Sequence, residues 1–182
     1  MPARRLIAVA IALSLPLSAC GTDRTPDPAA PPTTPSVATS GLSAEFNAAD
    51  VRFVQALIPH HEQGIALAEL GAAKAADPQL RMLANAIVTT QRDEVTRMRG
   101  WLKAWRQPPA GSAEPAPLPK ATGKALDREL LTRLIAHQQE AVELAAPETA
   151  DGRNLNTVSF AEQIQKSRAA EIKQMRDYLQ GL

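Results

Sequence analysis

Side chains able to bind metal ions recur at helical spacing in two separate stretches of the chain. Each stretch supplies an imidazole, a carboxylate and a thioether, and the carboxylate and thioether are four residues apart, on one helical face. Cores of helical bundles bind metal ions with such groups, projected from facing helices toward one point. The spacing places six of these side chains inward: His60, Glu94, Met98, His137, Glu171 and Met175.

A purely structural interpretation of the same residues stays open. A His and a Glu on neighbouring helices can form a buried hydrogen-bonded pair, and Met is a common filler of irregular core space. Helical phase does not decide between His60 and His61, because Pro59 disturbs the helix immediately before them. In this interpretation His61 and Glu62 face solvent and the polar core only holds the fold together.

The positions of these side chains follow from an internal repeat. Residues 50–68, DVRFVQALIPHHEQGIALA, return as residues 127–145, DRELLTRLIAHQQEAVELA, and residues 83–102 return as residues 160–179. Both pairs of segments are offset by 77 positions. One offset shared by two separated segments indicates a tandem duplication. We therefore expect a pseudo-twofold axis that relates the two halves.

Each half is predicted to form two helices, because apolar residues recur in steps of three and four. Asn47 can cap the first helix, and Pro59 is expected to kink it by removing one backbone hydrogen bond. Residues 77–78, Asp-Pro, supply a cap and a first-turn proline for the second helix. The third helix is predicted over about residues 125–146, ending before Pro147, and the fourth from near Asn154 to residue 179.

Short connections within each half make the paired helices antiparallel neighbours. The halves, at about residues 46–106 and 122–182, are joined by a proline-rich linker at residues 107–120. The fold class is therefore predicted as all-α: a four-helix bundle over residues 42–182, made from a duplicated helical hairpin.

Composition excludes several other classes of protein. A net charge of +1 argues against a nucleic-acid binder, and 3% aromatic residues argue against a β-sandwich or barrel. A single cysteine excludes an intramolecular disulfide and any multi-cysteine metal site. Alanine and leucine dominate, which suits helices.

The amino terminus has the features of an export signal. Arg4 and Arg5 precede an apolar run too short to span a membrane, and the run ends in Leu-Ser-Ala-Cys at residues 17–20. This ending resembles a bacterial lipobox. The resemblance implies a lipoprotein signal peptide over residues 1–19 and a diacylglycerol anchor on Cys20. Residues 20–41, rich in Pro and Thr, are then expected to form a disordered tether.

Residues 50–68, with Ile-Pro-His-His at positions 58–61, resemble the hallmark of the domain-of-unknown-function 305 family. Residues 91–102 resemble its second signature, and the resemblance covers about residues 46–182. It implies a ferritin-like four-helix bundle, usually exported, with copper binding or copper tolerance among relatives. Carried over, the candidate metal ligands are His60, His61, Glu94, Met98, His137, Glu171 and Met175.

The chain departs from the family pattern at two places. Ala56 and Leu57 stand where relatives often have methionines before the Ile-Pro-His-His element, and the second copy has His137-Gln138 in place of His-His. Both changes remove soft or imidazole ligands, which Cu(I) favours. The resemblance therefore implies copper as the first candidate metal, with reduced affinity or fewer sites.

The sequence predicts that the protein is not an enzyme. No Glu-x-x-His motif of the di-iron oxidases, no His-Glu-x-x-His motif and no Gly-x-Ser-x-Gly motif is present. The first functional hypothesis is an anchored lipoprotein, on the outer face of the cytoplasmic membrane or on another envelope membrane, that sequesters copper in its bundle. The second is a non-catalytic interaction or structural module of the envelope. Neither hypothesis identifies a protein partner.

Overall fold

The computed structural model describes residues 45–112, 114 and 117–182. These residues form four helices: α1 (Ala48–Lys74), α2 (Pro78–Ala104), α3 (Gly123–Asp151) and α4 (Leu155–Gly181). α1 packs along α2 and α3 packs along α4, while α1 and α3 make the main contact between the halves. The predicted fold class, an all-α four-helix bundle, is confirmed.

Local capping explains where three of the helices begin. Asn47 and Asp50 form a capping box at the start of α1, in which each side chain accepts a hydrogen bond from the other residue's backbone N–H. Asp77 caps α2 ahead of Pro78, and Asn154 caps α4. In each case the side-chain oxygen accepts from N–H groups of the first turn, which have no partner within the helix.

Two aspartates at equivalent repeat positions fasten each half to the other. Asp50, at the start of α1, accepts a 2.9 Å hydrogen bond from the backbone N–H of Asn154, in the turn between α3 and α4. Asp127, in α3, accepts bonds of 2.8 and 3.0 Å from Ala76 and Asp77, in the turn between α1 and α2. Each carboxylate therefore accepts hydrogen bonds from the turn that connects the two helices of the opposite half.

The end of the third helix that the sequence predicted was wrong. α3 continues through Pro147 to Asp151 instead of stopping at residue 146. Proline removes only its own N–H bond, and the turn beyond it is held by tertiary contacts and a 2.9 Å bond from Gly152 N–H to the Glu148 carbonyl. The side chain of Glu148 is 1% exposed. α1 also remains one helix on both sides of Pro59.

The core consists of two apolar clusters separated by a polar layer. Along every helix, the buried residues of one cluster come first, then polar residues, then residues of the other cluster. Met98 belongs to one apolar cluster and Met175 to the other, and both methionines are fully buried. The polar layer crosses the middle of all four helices at His60, His61, Gln91, Glu94, His137, Gln138, Arg168 and Glu171.

The predicted signal peptide, the lipidated Cys20 and the tether lie outside the described residues. Within the part of the chain that the structure describes, none of the helices combines the length and apolar character needed to cross a membrane.

Candidate metal centre

His60 of α1 and His137 of α3 meet face to face across the junction of the two halves. Their rings are stacked, with centroids 3.8 Å apart and planes 5° from parallel. The Glu140 carboxylate, one turn after His137, reaches to 3.5 Å from His60 Nε2. One ligand atom from each of His60, His137 and Glu140 lies within 4.8 Å of the others, a separation that a bound metal ion can bridge.

The shape of α1 makes room for this pair. Gly64, one turn after His60, lies directly against the second imidazole: a Cβ built on Gly64 would be 2.1 Å from His137 Nε2 and 2.5 Å from Gln91 Oε1. No side chain larger than hydrogen fits there without displacing the ring. The second copy has Ala141 at the equivalent position, so the clearance exists on one side of the pseudo-twofold axis only.

Both imidazoles are neutral at neutral pH. Burial, together with the neighbouring imidazoles and Arg168, lowers the pKa of His60 to about 4 and that of His137 to about 3. The Nε2 atoms of His60 and His137 are buried and have no hydrogen-bond partner, so the approach of Glu140 to His60 is a close contact and not a hydrogen bond. Neutral, unpartnered imidazole nitrogens are the form in which His binds metals.

The remaining polar residues of the layer form a separate network around Arg168. Neutral His61 donates from Nε2 to Glu94 Oε2 at 2.8 Å, and the same oxygen accepts a hydrogen bond from the Arg168 guanidinium. A second guanidinium nitrogen lies 3.0 Å from Glu171 Oε1. Gln138 donates to the other oxygen of Glu171 and accepts a 3.4 Å bond from Gln91.

The structure thus divides the residues predicted as ligands into three groups. His60 and His137 lie together, joined by Glu140. His61, Glu94 and Glu171 lie in the Arg168 network. Met98 and Met175 lie on opposite sides of the polar layer, each in its own apolar cluster.

Sequence reasoning missed Glu140 and Arg168, although the chain contained a signal for each. Glu140 is three residues after His137, so helical geometry places both on one face. Arg168 is 77 positions after Gln91, which the apolar stripe of α2 already placed inward. The repeat offset would have predicted a buried arginine, against the general rule that Arg is exposed, but this signal was not used.

A cleft of about 460 Å³ between α1 and α3 leads to this site from the surface. His137 and Glu140 line it together with Glu62, and Leu67 and Leu118 contribute apolar walls. Glu140 is 64% exposed in its side chain. The site is consequently accessible to a metal ion on the Glu140 side and enclosed on the side of the Arg168 network.

Comparison with solved structures shows that the four-helix fold is shared with other proteins. The structures of CopM in its Cu(II)-bound and Cu(I)-bound forms match with TM-scores of 0.65, at 28% and 30% identity, covering 72% of this chain and 96% of CopM. The crystal structure of a DUF305 fragment from Deinococcus radiodurans matches with a TM-score of 0.65 at 27% identity, covering 75% of this chain and 98% of the fragment. No curated protein matches the chain.

The family model of the domain of unknown function DUF305 matches the chain twice, at residues 50–117 and 110–179. Each match covers one helical hairpin, and the two matches overlap in the linker at residues 110–117. The chain belongs to the DUF305 family.

Proposed function

We propose that this protein binds copper between α1 and α3, with His60, His137 and Glu140 as ligands. One observation carries the proposal: two buried, neutral imidazoles from equivalent positions of the two halves keep their Nε2 atoms without hydrogen-bond partners beside a carboxylate. Leaving buried polar atoms unpaired destabilises a fold. Metal coordination satisfies these nitrogens.

Ligand chemistry and the relatives support copper as the metal. Imidazole binds copper, zinc, nickel and iron, and a set of nitrogen and oxygen ligands suits Cu(II) in particular. The methionines lie in the apolar clusters, so the proposed site has no thioether. CopM, which shares this fold, has been crystallised in both Cu(I)-bound and Cu(II)-bound forms.

Binding requires the histidine stack to open. An imidazole coordinates a metal through a lone pair in the plane of its ring, at about 2.0–2.1 Å for a metal such as zinc. Parallel rings with centroids 3.8 Å apart hold their lone pairs in two separate parallel planes, so no single point close to the rings lies in the plane of both. At least one ring must therefore turn for both nitrogens to reach a single ion.

The cellular part of the proposal rests on the sequence. The export signal and the lipobox-like Cys20 support a lipoprotein anchored at an envelope membrane. A bundle held there by a tether sequesters copper outside the cytoplasm and lowers the free metal concentration near the membrane. The proposed role is binding and not catalysis, because the chain contains none of the enzyme motifs sought.

The hydrogen-bond network around Arg168 favours the alternative function, a structural or interaction module, for the part of the polar layer that this network occupies. Its two carboxylates bind its guanidinium, and Gln138 binds one of them, without a metal ion. This half of the layer is structural, and a module of the envelope that binds no metal would need nothing more.

Thermal melting in the presence of copper separates the two functions. The full chain carrying Cys20→Ser, which removes the one thiol, is melted with and without Cu(II). A ligand at about 100 times its dissociation constant stabilises the native state by about 2.7 kcal/mol. We expect a rise in Tm that His60→Ala and His137→Ala each reduce. No rise, or a rise that both variants retain, contradicts the proposal.

A further inference from the structure

Arg168 occupies the space between two carboxylates that the repeat places in the polar layer, one of them buried and the other 23% exposed. Its side chain is 1% exposed, and its guanidinium contacts Glu94 on α2 and Glu171 on its own helix α4. His61 contacts the same Glu94 oxygen from the other side, at 2.8 Å. An imidazole and two carboxylates converging on one buried cation resemble a metal site in composition.

The internal repeat shows what distinguishes this arrangement from a symmetric one. Glu94 and Glu171 are equivalent positions, and Arg168 is equivalent to Gln91. The duplicated halves thus bring two carboxylates together but only one arginine. Two carboxylates facing each other in the interior, one buried and one partly exposed, repel each other, so a positive charge between them is strongly favourable.

We propose that Arg168 is a built-in cation in a second, otherwise metal-competent site formed by His61, Glu94 and Glu171, and that it limits the bundle to the His60–His137–Glu140 site. Arginine is suited to this role, because its guanidinium stays protonated at every accessible pH and binds carboxylates in a fixed geometry. A divalent ion entering the network would meet a fixed positive charge that cannot leave by losing a proton.

The inference explains why the polar layer is divided in the way observed. The network around Arg168 pairs its guanidinium with both carboxylates without a metal ion, although His61 Nδ1, Gln91 Oε1 and Arg168 Nε have no hydrogen-bond partner. Its charges are therefore balanced in the metal-free protein. The His60–His137–Glu140 cluster has buried, unpartnered Nε2 atoms and no charge-balancing cation, and its His137 and Glu140 line a surface cleft. One half of the layer therefore stabilises the bundle permanently, while the other is left for a ligand.

Replacing Arg168 by its repeat equivalent tests the inference. In Arg168→Gln, Glu94 and Glu171 lose their cation and can rotate toward a metal ion. Zinc is the probe, because it binds imidazole and carboxylate and undergoes no redox chemistry. We expect Arg168→Gln to bind one more zinc ion per chain than the Cys20→Ser parent, measured by elemental analysis after dialysis. We also expect it to melt lower than the parent without zinc and to regain stability with zinc.

Two matched variants complete the experiment. Arg92→Gln removes an exposed arginine that pairs with Glu69, and it should change neither the zinc count nor its effect on melting. Arg168→Gln with Glu171→Gln removes the charge of one ligand, and it should fold with the parent's zinc count. A folded Arg168→Gln protein with no additional zinc contradicts the inference. Failure of Arg168→Gln to fold even with zinc, while the double variant folds, contradicts it equally.

This test is separable from the test of the proposed function. If the parent binds no zinc or copper, the His60–His137–Glu140 site fails as a metal site. The inference about Arg168 still predicts one zinc ion in Arg168→Gln and none in the parent. An equal count in both proteins, whatever its value, removes the Arg168 inference alone.

Discussion

Gly64 of α1 lies directly against the His137 ring of α3, so close that a methyl group on Gly64 would overlap His137 Nε2 at 2.1 Å. This relationship links the two halves of the duplication at the proposed metal site. The position of the second imidazole depends on the absence of a side chain in the first half. A change at Gly64 therefore tests the site without touching any ligand.

We predict that Gly64→Ala displaces His137, weakens copper binding about tenfold or more and destabilises the fold by about 1–3 kcal/mol through overpacking. Copper titration and thermal melting measure the two effects. Gly100→Ala is the matched control, because a Cβ there meets nothing within 4 Å. Alanine is the better helix former, so the control should gain about 0.5–1 kcal/mol. Equal behaviour of the two variants contradicts the account.

His61 and His60 are adjacent in sequence but should differ in their importance for copper. The second copy has Gln138 at the position equivalent to His61, and its amide binds Glu171 as His61 binds Glu94. We predict that His61→Gln keeps the copper affinity within about threefold, whereas His60→Gln reduces it by a factor of ten or more. Isothermal titration of both variants checks this. A larger loss in His61→Gln would place the metal in the Arg168 network.

Copper binding should persist to lower pH than is usual for histidine ligands. An ordinary imidazole has a pKa near 6.5, so protons compete with the metal below about pH 6. Because the pKa is about 4 for His60 and about 3 for His137, protons compete for these two nitrogens only near pH 4 and below. We predict a change of less than about threefold in the dissociation constant between pH 7 and pH 5, compared with an exposed two-histidine peptide measured under identical conditions. A loss that parallels the peptide contradicts the burial of the site.

Glu148 should make the stability of the protein fall as pH rises. Its side chain is 1% exposed, and burial raises the pKa to about 8 from an ordinary value of 4.5. Between these two pH values Glu148 binds more protons in the folded state than in the unfolded state, so its contribution to the free energy of unfolding decreases with increasing pH.

We predict that Glu148→Gln makes the slope of the free energy of unfolding against pH less negative, or more positive, than in the parent between pH 5 and pH 8, because the buried histidines keep their opposite contribution in both proteins. Urea unfolding at several pH values measures it. Glu143→Gln, at an exposed position of the same helix, should leave the dependence as in the parent. An unchanged slope in Glu148→Gln contradicts the assignment of this pH dependence to Glu148.

Local signals in the sequence were sufficient for the fold. Asn47, Asp77 and Asn154 cap their helices through hydrogen bonds that span two or three residues, so their sequence context contains the information. The end of α3 was not predictable in this way. The turn after Pro147 depends on Glu148 packing against another helix, and tertiary contacts override the local preference of proline.

The site was predictable only in part. The phase of a single helix indicates which of its own residues face inward, but it does not show which residues of the other helices they contact. The inward position of His60 and His137 followed from the apolar stripes and the repeat. The separation of Glu94 and Glu171 from that pair depends on Arg168, whose charge suggested an exposed position. The two methionines are one helical turn from their glutamates along each helix, which is enough to place them in the apolar clusters instead of the polar layer.

Electron paramagnetic resonance of the Cu(II) complex tests the central claim most directly. The full chain carrying Cys20→Ser is loaded with one equivalent of Cu(II), and the nitrogen couplings of the copper ligands are counted in the parent and in single histidine variants. The account predicts two imidazole nitrogens in the parent, one in His60→Ala, one in His137→Ala and two in His61→Gln. A spectrum without imidazole coupling, or one that keeps two nitrogens after both His60 and His137 are removed, would contradict it.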